Sequence, residues 1–403
     1  MEVLKIAGWV LFYIINAILA FHFLLPVILF ILHCFVKKQK NVTDASSTGD
    51  ENICYAAIIT AHKDTRFIPP LVDSFIKQSY NNFILYVVAD ACDVTGLDYS
   101  DKRVVMLRPE PSLNSKIKSI NYAIDNFVKA HQVMVIFDSD NLVHPDYLKR
   151  LNYYFKKGFK VVQTHMLSKN TDSTYAKLDS LGHVFYTFIE RQAKMELGLT
   201  SAILGLGIAL DTDLYKEISY NNVIGGFDKK LQSQLAIKVK QIAFADDAIV
   251  YDEKVEDGAA LEKQRTRWIY SYFEHFQDSW NLFAAGIKTA SMGRLLLGAT
   301  MLRPPMFLLI SGAFLMMLIA LIIKPIICII WIAILLIFSI NFLLIVATQS
   351  KQKGIVGSMI YIPLVIFRQV KSLLKIKAAK SDFLKTEHTK IIYIDEILKN
   401  EPA

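Results

Sequence analysis

Three long runs without charged residues divide the chain and predict membrane spans. They occupy residues 6–36, 306–323 and 326–348. A helix needs roughly 20 apolar residues to cross the hydrocarbon core of a bilayer. The first run exceeds that length, so we expect it to tilt, to kink near Pro26 or to begin along the interface. It is also too long for a signal peptide and lacks a small-residue cleavage pattern.

Lysines directly follow the first and third runs and predict the orientation of the chain. They are Lys37, Lys38 and Lys40 after the first run and Lys351 and Lys353 after the third. Because spans keep their Lys-rich ends on the cytoplasmic side, the large domain between the first two runs is predicted to be cytoplasmic. The sequence therefore predicts an integral protein of a plasma or inner membrane, with membrane lipids among its partners.

Strands alternate with helices between the first and second runs. Short apolar runs predict strands at 55–60, 83–89, 103–107 and 133–137, and helical periodicity predicts helices at 68–78 and 116–130. This alternation is typical of an α/β domain with a mostly parallel sheet that is buried on both faces. In such sheets ligands bind beyond the carboxyl ends of the strands.

Polar side chains follow three of these predicted strands. A single Asp after a strand is often only a turn or cap residue, but three polar strand ends together favour a ligand site. These residues are Thr60, His62 and Asp64 after the first strand, Asp90 and Asp93 after the second, and Asp138 and Asp140 after the fourth.

Asp138 and Asp140 form a candidate metal site. They are two residues apart, and alternate residues of an extended segment share a face. Mg²⁺ and Mn²⁺ prefer carboxylate oxygens and keep positions open for phosphate. A nucleoside diphosphate leaving group needs such neutralisation as its charge develops. The pattern therefore predicts a Mg²⁺ or Mn²⁺ site.

Composition and charge narrow the class of protein. The chain has 403 residues, of which 53% are hydrophobic and 20% charged, and its net charge is +8. The positive charge suits anionic lipids and phosphate-bearing substrates, and we expect no nucleic-acid partner because no aromatic-basic groove motif is present. The four cysteines lack the paired spacing of a zinc site or disulfide framework, which fits a reducing compartment.

The motif Gln264-Arg265-Thr266-Arg267-Trp268 lies after Asp140 and before the second apolar run. It is similar to the Q(Q/R)xRW motif of the membrane-bound, processive-type branch of glycosyltransferase family 2, which includes cellulose, hyaluronan and poly-N-acetylglucosamine synthases. The shared order of motifs covers residues 55–268, and the flanking spans extend the likeness over most of the chain. The resemblance implies a GT-A fold, a nucleotide-sugar donor, a divalent cation and inversion to a β-linkage.

The resemblance implies roles for the donor side of the site. The segment from Thr60 through His62 to Asp64 resembles the first loop around the nucleotide. Asp90 resembles the aspartate that reads the uracil ring, which implies a UDP-sugar. Ser115, Lys116 and Asn121 resemble the segment beside the diphosphate, although Lys116 could also be a solvated helix charge. Asp138 and Asp140 resemble the metal-binding DxD.

The resemblance also implies roles for the acceptor side. Gly205 and Gly207 resemble the glycine turn beside the acceptor, with an ordinary tight turn as the alternative. Gln264, Arg267 and Trp268 resemble residues that close on the diphosphate and the acceptor sugar, and Arg265 or Arg267 would neutralise the leaving diphosphate. An interfacial helix start with Trp268 as a membrane anchor is the alternative. The aromatic residues between 268 and 280 also suit an amphipathic helix on the membrane.

Asp228 is the candidate catalytic base. It follows Gly225-Gly226-Phe227, and Phe227 stands where the family has the Glu of an ED pair. A base of this kind takes the proton from the acceptor hydroxyl. Asp246-Asp247 is a rival carboxylate pair, although it resembles the family's structural strand-end Asp before Val250-Tyr251.

The segments and functions that we predict are as follows. The chain begins with a transmembrane segment at 1–36 and a linker at 37–52. A cytoplasmic GT-A domain follows at 53–275, and interfacial helices follow it at 276–303. The remainder is a transmembrane hairpin at 304–349 and an interfacial or partial membrane helix with a cytoplasmic tail at 350–403. The function is a metal-assisted, inverting transfer to a lipid-linked or polysaccharide acceptor. The alternatives are a processive synthase that needs an oligomer or partner subunit, and a catalytically inactive GT-A-fold binding protein.

Overall fold

The structure is a computed structural model that describes residues 2–36, 53–220, 226–350, 355–374 and 388–400. The predicted linker at 37–52, Gly225, and the lysines at 351 and 353 lie outside the described residues. The strands are β1 Tyr55–His62, β2 Phe83–Asp90, β3 Val104–Leu107, β4 Val133–Asp138, β5 Leu142–Val143, β6 Val161–Ser168, β7 Ile208–Asp211 and β8 Ala243–Asp252.

Helices occupy most of the rest. The first eight are α1 Glu2–Phe35, α2 Ile68–Ile76, α3 Lys116–Asp125, α4 Tyr147–Lys156, α5 Thr174–Thr187, α6 Ala193–Glu196, α7 Thr212–Lys216 and α8 Phe227–Lys238. The others are α9 Gly258–Glu274, α10 Phe276–Lys288, α11 Met292–Leu302, α12 Met306–Ile323, α13 Pro325–Gln349, α14 Ile362–Leu374 and α15 Ile394–Asn400. A π-helical turn at Phe188–Gln192 joins α5 to α6, and a 3₁₀ turn at Val356–Tyr361 precedes α14.

The eight strands form one mixed sheet in the order β3-β2-β1-β4-β7-β6-β8-β5. The four predicted strands are all present and pair in parallel, as expected. The other half is not parallel throughout, because β7 runs antiparallel to β4 and β6, and β5 runs antiparallel to β8. The α/β prediction is confirmed, and the mixed half was not anticipated.

The predicted helix at 116–130 ends early, at Asp125. Asn126 follows as the C-terminal cap, and its Nδ2 donates to Tyr122 O at 2.8 Å. An Asn that bonds its own backbone in this way competes with continuation of the helix.

Apolar residues cover both faces of the sheet. On β1, Tyr55, Ala57 and Ile59 pack in one core, while Ala56 and Ile58 pack in the other. This alternation follows from the opposite directions of successive side chains on a strand. Helices α2 and α4 cover the first face, and α3 and α8 cover the second. The sheet is therefore a rigid platform for the residues at its carboxyl edge.

Helices α10 and α11 pack on the α/β domain. Leu282 of α10 and Leu297 of α11 are buried in the same core as Leu231 of α8. Phe276 and Trp280 of α10 remain about half exposed, at 46% and 50%. Their predicted contact with the membrane interface stays a prediction.

Three helices, α1, α12 and α13, are long and apolar enough to cross a membrane. They bury an apolar cluster that includes Phe23, Trp331 and Phe338. Trp331 Nε1 donates to Asn16 Oδ1 at 2.6 Å, so a polar contact fixes α1 against α13. Helix α14 packs on α9 of the α/β domain, where Arg368 lies over Tyr175 of α5.

Segment 388–400 folds back onto the α/β domain. Glu253 is 4% exposed and accepts from the backbone N–H groups of Thr389 at 2.7 Å and Lys390 at 3.2 Å. Ile394 is buried beside Leu142 and Tyr251. These contacts hold the start of this segment against the carboxyl end of β8.

Candidate active site

The register of the central strands places the predicted residues at one edge of the sheet. Thr60 of β1 is level with Asp138 of β4, and His62 is level with Asp90 of β2. Neighbouring strands lie about 4.8 Å apart, so these residues lie along one edge. Strand pairing therefore brings together the donor residues predicted for β1, β2 and β4.

Lys116 connects the end of β4 to the glycine turn. Its Nζ forms an ion pair with Asp138 and donates to Gly205 O at 2.8 Å. The ring of Phe227 lies 5.0 Å from the same nitrogen, a cation–π contact. Lys116 is therefore a contact residue of this edge rather than a solvated charge at the start of α3.

Asp228 begins α8 beside the same glycine turn. A Cβ built on Gly205 would lie 3.9 Å from Asp228 Cβ and 3.4 Å from the Phe227 ring. Burial lowers the pKa of Arg267, while the carboxylates of Asp138 and Asp228 both act to raise it. Both carboxylates therefore act electrostatically on Arg267, as expected for residues in the same region of the site.

Asp140 is buried, and one of its oxygens has no hydrogen-bond partner. The residue is 6% exposed, and within the described ranges no donor makes a well-aligned hydrogen bond to its Oδ2. His388 Nδ1 lies 3.3 Å from that oxygen and 3.9 Å from Glu253 Oε1. Burial raises the pKa of Asp140 to about 6, against the lowering effect of His388. A buried carboxylate oxygen without a well-aligned hydrogen bond is suited to binding a metal cation.

These side chains fit a divalent cation that completes its coordination with phosphate. No group of three or more His, Cys, Asp or Glu within the described ranges could hold a metal alone. Mg²⁺ sites commonly use only one or two carboxylates and take the remaining ligands from substrate phosphates and water. The two carboxylates of Asp138 and Asp140 suit Mg²⁺ or Mn²⁺ under that condition, with His388 beside Asp140.

Asp90 is 1% exposed and accepts four hydrogen bonds. Its Oδ1 accepts from Leu113 N at 2.7 Å and Ser112 Oγ at 2.9 Å, and its Oδ2 accepts from Asn114 N at 2.8 Å and His62 Nδ1 at 3.0 Å. Burial alone would raise the pKa of Asp90, but these hydrogen bonds lower it below its usual value. Asp90 therefore remains an anion that organises the 112–114 segment.

Thr60 and Asp64 make local contacts. Thr60 Oγ1 lies 3.5 Å from Phe137 O of the neighbouring strand. Asp64 accepts from Arg66 Nη2 at 2.9 Å and from Arg66 Nε at 3.0 Å. Their predicted contacts with the donor stay predictions.

The Gln264–Trp268 motif lies on α9 and is internally paired. Arg265 Nη2 donates to Asp179 of α5 at 2.5 Å, and its guanidinium stacks 4.3 Å from the centre of the Trp268 ring. Gln264 Oε1 is buried without a hydrogen-bond partner. Arg265 thus faces Asp179, and Arg267 is the arginine of this motif that lies near Asp138 and Asp228.

Gly207 occupies a position that only glycine fits. Its φ is +62°, and an added Cβ would lie 2.6 Å from Thr164 Oγ1 and 2.9 Å from Val250 Cγ1. Gly207 N donates to Ile136 O at 2.8 Å, so the turn is tied to β4. This geometry satisfies the tight-turn interpretation, and it also presents Gly205 O to Lys116.

The rival pair Asp246-Asp247 lies within β8 and has other partners. Asp246 Oδ1 lies 2.9 Å from His165 Nδ1. Asp247 accepts from Tyr154 Oη of α4 at 3.2 Å, and burial raises the pKa of its carboxyl. Neither of these partners belongs to the group around Asp138, so Asp228 is the better-placed candidate base.

Sequence reasoning did not find His388, Glu253 or the 112–114 segment. His388 has no motif around it and reaches Asp140 only through tertiary contact. The 112–114 segment contributes two backbone N–H groups, which leave no trace in side-chain patterns. Only Glu253 carried a weak signal, as a carboxylate directly after an apolar strand.

Comparisons with known proteins identify the family and the fold. Residues 52–271, more than half of the chain, match the family described as Glycosyltransferase like family 2. No curated protein sequence is significantly similar to the chain.

Two solved structures illustrate the likeness in fold. The mannosyltransferase PcManGT from Pyrobaculum calidifontis, in complex with GDP-Man and Mn²⁺, is 15% identical with a TM-score of 0.58, and the alignment covers 91% of this chain and 100% of that one. Residues 1–349 of S. aureus TarS, in complex with UDP-GlcNAc, are 15% identical with a TM-score of 0.43, covering 85% and 95%. Only the first is close enough to carry an argument, and that argument concerns the fold alone.

Proposed function

The chain belongs to glycosyltransferase-like family 2, and we propose that it is a metal-assisted, inverting enzyme that moves one sugar from a nucleotide-sugar to a lipid-linked or glycan acceptor at a membrane. The predicted glycosyltransferase activity and GT-A-type α/β fold are confirmed at the level of the family. The donor, the acceptor, the inversion and the roles of individual residues belong to the proposal.

The proposal depends mainly on the contacts that join Asp138 to the start of α8 at Asp228 through Lys116 and Gly205. The two carboxylates act on the same guanidinium, and Lys116 bridges Asp138 to Gly205. A single displacement needs a base on one side of the anomeric carbon and charge neutralisation on the other. The carboxylate of Asp228 and the cations of Arg267 and Lys116 meet these two requirements.

The chemical step balances without a covalent intermediate. Asp228 takes the proton of an acceptor hydroxyl while the hydroxyl oxygen forms a bond to the anomeric carbon. The bond from that carbon to the β-phosphate oxygen breaks, and the electron pair leaves with the nucleoside diphosphate. Arg267 and Lys116 stabilise the charge that develops there. Attack opposite the leaving group inverts the configuration.

A divalent cation would be held by Asp138 and Asp140, with His388 beside Asp140. When bound, it would neutralise the diphosphate. The unpartnered buried Oδ2 of Asp140 supports this assignment. The PcManGT complex contains Mn²⁺, and Mg²⁺ and Mn²⁺ are both compatible with the donor set here.

The membrane proposal rests on the three long apolar helices. Because activated sugar donors are cytoplasmic, we place the transferase domain on the cytoplasmic side, in agreement with the lysines that follow the first and third apolar runs. Exposed aromatic residues, including Trp268 at 45% and Phe273 at 50%, would bring a lipid-linked acceptor near the site.

A processive synthase is the second candidate. The Gln264–Trp268 motif favours it, whereas three candidate spans are few for a polymer channel within one chain. A partner subunit or an oligomer would then complete the channel.

The test uses the full-length protein in nanodiscs with Mn²⁺ and a panel of radiolabelled nucleotide sugars. Transfer and donor hydrolysis are measured for the wild type, Asp138→Asn, Asp140→Asn and Asp228→Asn. We expect each variant to lose at least about 100-fold in rate. Asp213→Asn is the matched control, because the Asp213 side chain is 90% exposed and forms an ion pair with Lys216 of its own helix.

The product size then separates the candidates. One labelled product of fixed size supports single transfer, and a ladder of sizes supports the processive synthase. Wild-type rates in all three variants would contradict the proposed site. Binding of donor without any turnover by the wild type would favour a binding protein instead.

A further inference from the structure

The carboxylate of Asp90 has no acceptor capacity left for a nucleobase. A carboxylate offers about four lone-pair positions. In Asp90 these are taken by Leu113 N, Ser112 Oγ, Asn114 N and His62 Nδ1, at 2.7 to 3.0 Å. The side chain is also 1% exposed, so a ligand could not approach it directly. A base contact by Asp90 would require one of these bonds to break.

His62 is the exposed member of this network. Its side chain is 38% exposed, and its Nδ1 donates to Asp90 at 3.0 Å. Because the Asp90 partner is an anion, the neutral imidazole carries its proton on Nδ1 and its lone pair on Nε2. Among the residues that the structure describes, Nε2 makes no hydrogen bond. Asp90 therefore fixes Nε2 of His62 as a hydrogen-bond acceptor at the surface of the site.

The backbone around this pair is held in an unusual conformation. Lys63, Ala91 and Asn114 have φ values of 60°, 53° and 48°. They account for three of the four non-glycine residues with positive φ in the described part of the chain. Such residues cost free energy and persist where the surrounding contacts fix them, often at ligand sites. Lys63 directly follows His62, Ala91 directly follows Asp90, and Asn114 belongs to the segment that Asp90 holds.

The location of His62 suits the base of a nucleoside diphosphate. Thr60 is level with Asp138, so His62 lies one strand to the side and two residues further along. These steps correspond to about 4.8 Å and 7 Å. A diphosphate at Asp138 can extend its nucleoside along the strand ends over this distance.

We propose that His62 Nε2, positioned by Asp90, accepts a hydrogen bond from the ring N–H of the donor's nucleobase. This inference rests on the proposed function and names its donor class. Uracil and guanine carry a ring N–H between or beside carbonyl groups, whereas cytosine and adenine have an unprotonated ring nitrogen at that position. The site therefore selects uridine or guanosine diphosphate sugars and rejects cytidine and adenosine ones.

The test measures binding of UDP, GDP, CDP, ADP and pyrophosphate to the full-length protein with Mn²⁺ by isothermal titration calorimetry. The wild type should prefer UDP or GDP to CDP and ADP. His62→Ala should weaken the affinity for the preferred nucleotide roughly 3- to 10-fold, which is the effect of one hydrogen bond. The affinity for pyrophosphate should not change. Asp138→Asn should also weaken the affinity for pyrophosphate, because Asp138 is proposed to act on the diphosphate.

Asp90→Asn provides a second test that does not remove the imidazole. An amide N–H facing His62 would shift the proton to Nε2 and turn that atom into a donor. The preference should then move towards CDP or ADP. Because this variant also loosens the 112–114 segment, Ser112→Ala serves as its control, since it removes one hydrogen bond to Asp90 and spares His62.

The outcomes separate this inference from the proposed function. If His62→Ala retains the wild-type preference for UDP or GDP, the inference is wrong while the transferase assignment stands. A wild type that binds CDP as well as UDP also contradicts it. If the wild type binds neither nucleotides nor pyrophosphate, the proposed function itself fails.

Discussion

His388 Nδ1 lies 3.3 Å from Asp140 Oδ2, although the chain passes through two candidate membrane helices between these residues. Glu253 holds the backbone of Thr389 and Lys390 and so fixes the imidazole at this place. The candidate metal site thus combines residues at the ends of β4 and β8 with a segment that follows α13.

His388→Ala should weaken Mn²⁺ binding by about tenfold or more, the effect typical of removing a group that contacts or orients a metal ligand. Electron paramagnetic resonance of free Mn²⁺ gives the affinity in the absence of donor. Thr389→Ala is the control, because the Thr389 side chain is exposed and Glu253 accepts a hydrogen bond from the backbone N–H of Thr389. Equal Mn²⁺ affinity in both variants would remove His388 from the site.

Lys116→Met should raise the donor KM about tenfold or more, since the ion pair with Asp138 and the bond to Gly205 O are both lost. Steady-state kinetics with increasing donor measure this change. Lys118→Met is the matched control for Lys116→Met, because Lys118 is exposed on the same helix. If both variants behave as the wild type, the bridge has no part in donor binding.

Gly207→Ala should lower the free energy of unfolding by about 2–4 kcal/mol. Roughly 1–2 kcal/mol comes from the left-handed backbone, and the rest comes from crowding against Thr164 and Val250. Gly198→Ala isolates the first contribution, because Gly198 has φ +72° but open space around it. Thermal unfolding in detergent compares the two, and equal shifts would refute the steric account.

Glu190→Ala should destabilise the junction between the α/β domain and the candidate membrane helices by about 3–5 kcal/mol. Glu190 pairs with Arg303, and both are buried close to Lys194, whose Nζ donates to Thr300 Oγ1 at 2.9 Å. Burial lowers the pKa of Lys194 to about 8. Removing the single carboxylate leaves these cations unpaired.

The double variant Glu190→Leu with Arg303→Met is the matched test of that reasoning, because it removes both members of the pair. Its apparent Tm should lie well above that of Glu190→Ala. A double variant as unstable as the single one would show that packing, rather than charge pairing, matters at this junction.

Asp90→Asn should change the dependence of stability on pH. The pKa of Asp90 is lowered in the folded protein, so its ionised hydrogen bonds stabilise the fold above the usual carboxyl value of 3.8 and this contribution is lost as the pH falls below it. The difference in Tm between the wild type and the variant should therefore be largest near pH 7 and shrink below about 3.8. A difference that is constant over this range would contradict the assignment.

The donor edge of the site could be predicted from sequence because it follows a local rule. Asp90 and Asp138 each come directly after an apolar strand, and parallel pairing then brings both to one edge. The pairing partner of each side chain was not predictable in this way. Arg265 pairs with Asp179 on another helix, and only the folded structure distinguishes it from Arg267.

The mixed half of the sheet was missed for a physical reason. Strand β7 has only four residues and β5 has two, so neither provides a periodic pattern of useful length. Their places are fixed by neighbours far along the chain, as in the pairing of Leu142 with Tyr251. Short strands of this kind gain their stability from tertiary contacts rather than from local preference.

The anchoring of Thr389 and Lys390 by Glu253 sets an order of events during biosynthesis. The ribosome must release residue 388 after the hairpin of α12 and α13 has been made, so the segment matching the family is already complete while its metal-side histidine is still missing. In the proposed site, the nascent chain would hold its metal less tightly until α12 and α13 had been made and residue 388 had reached Asp140. Efficient sugar transfer would thereby depend on synthesis of the segment that follows α13.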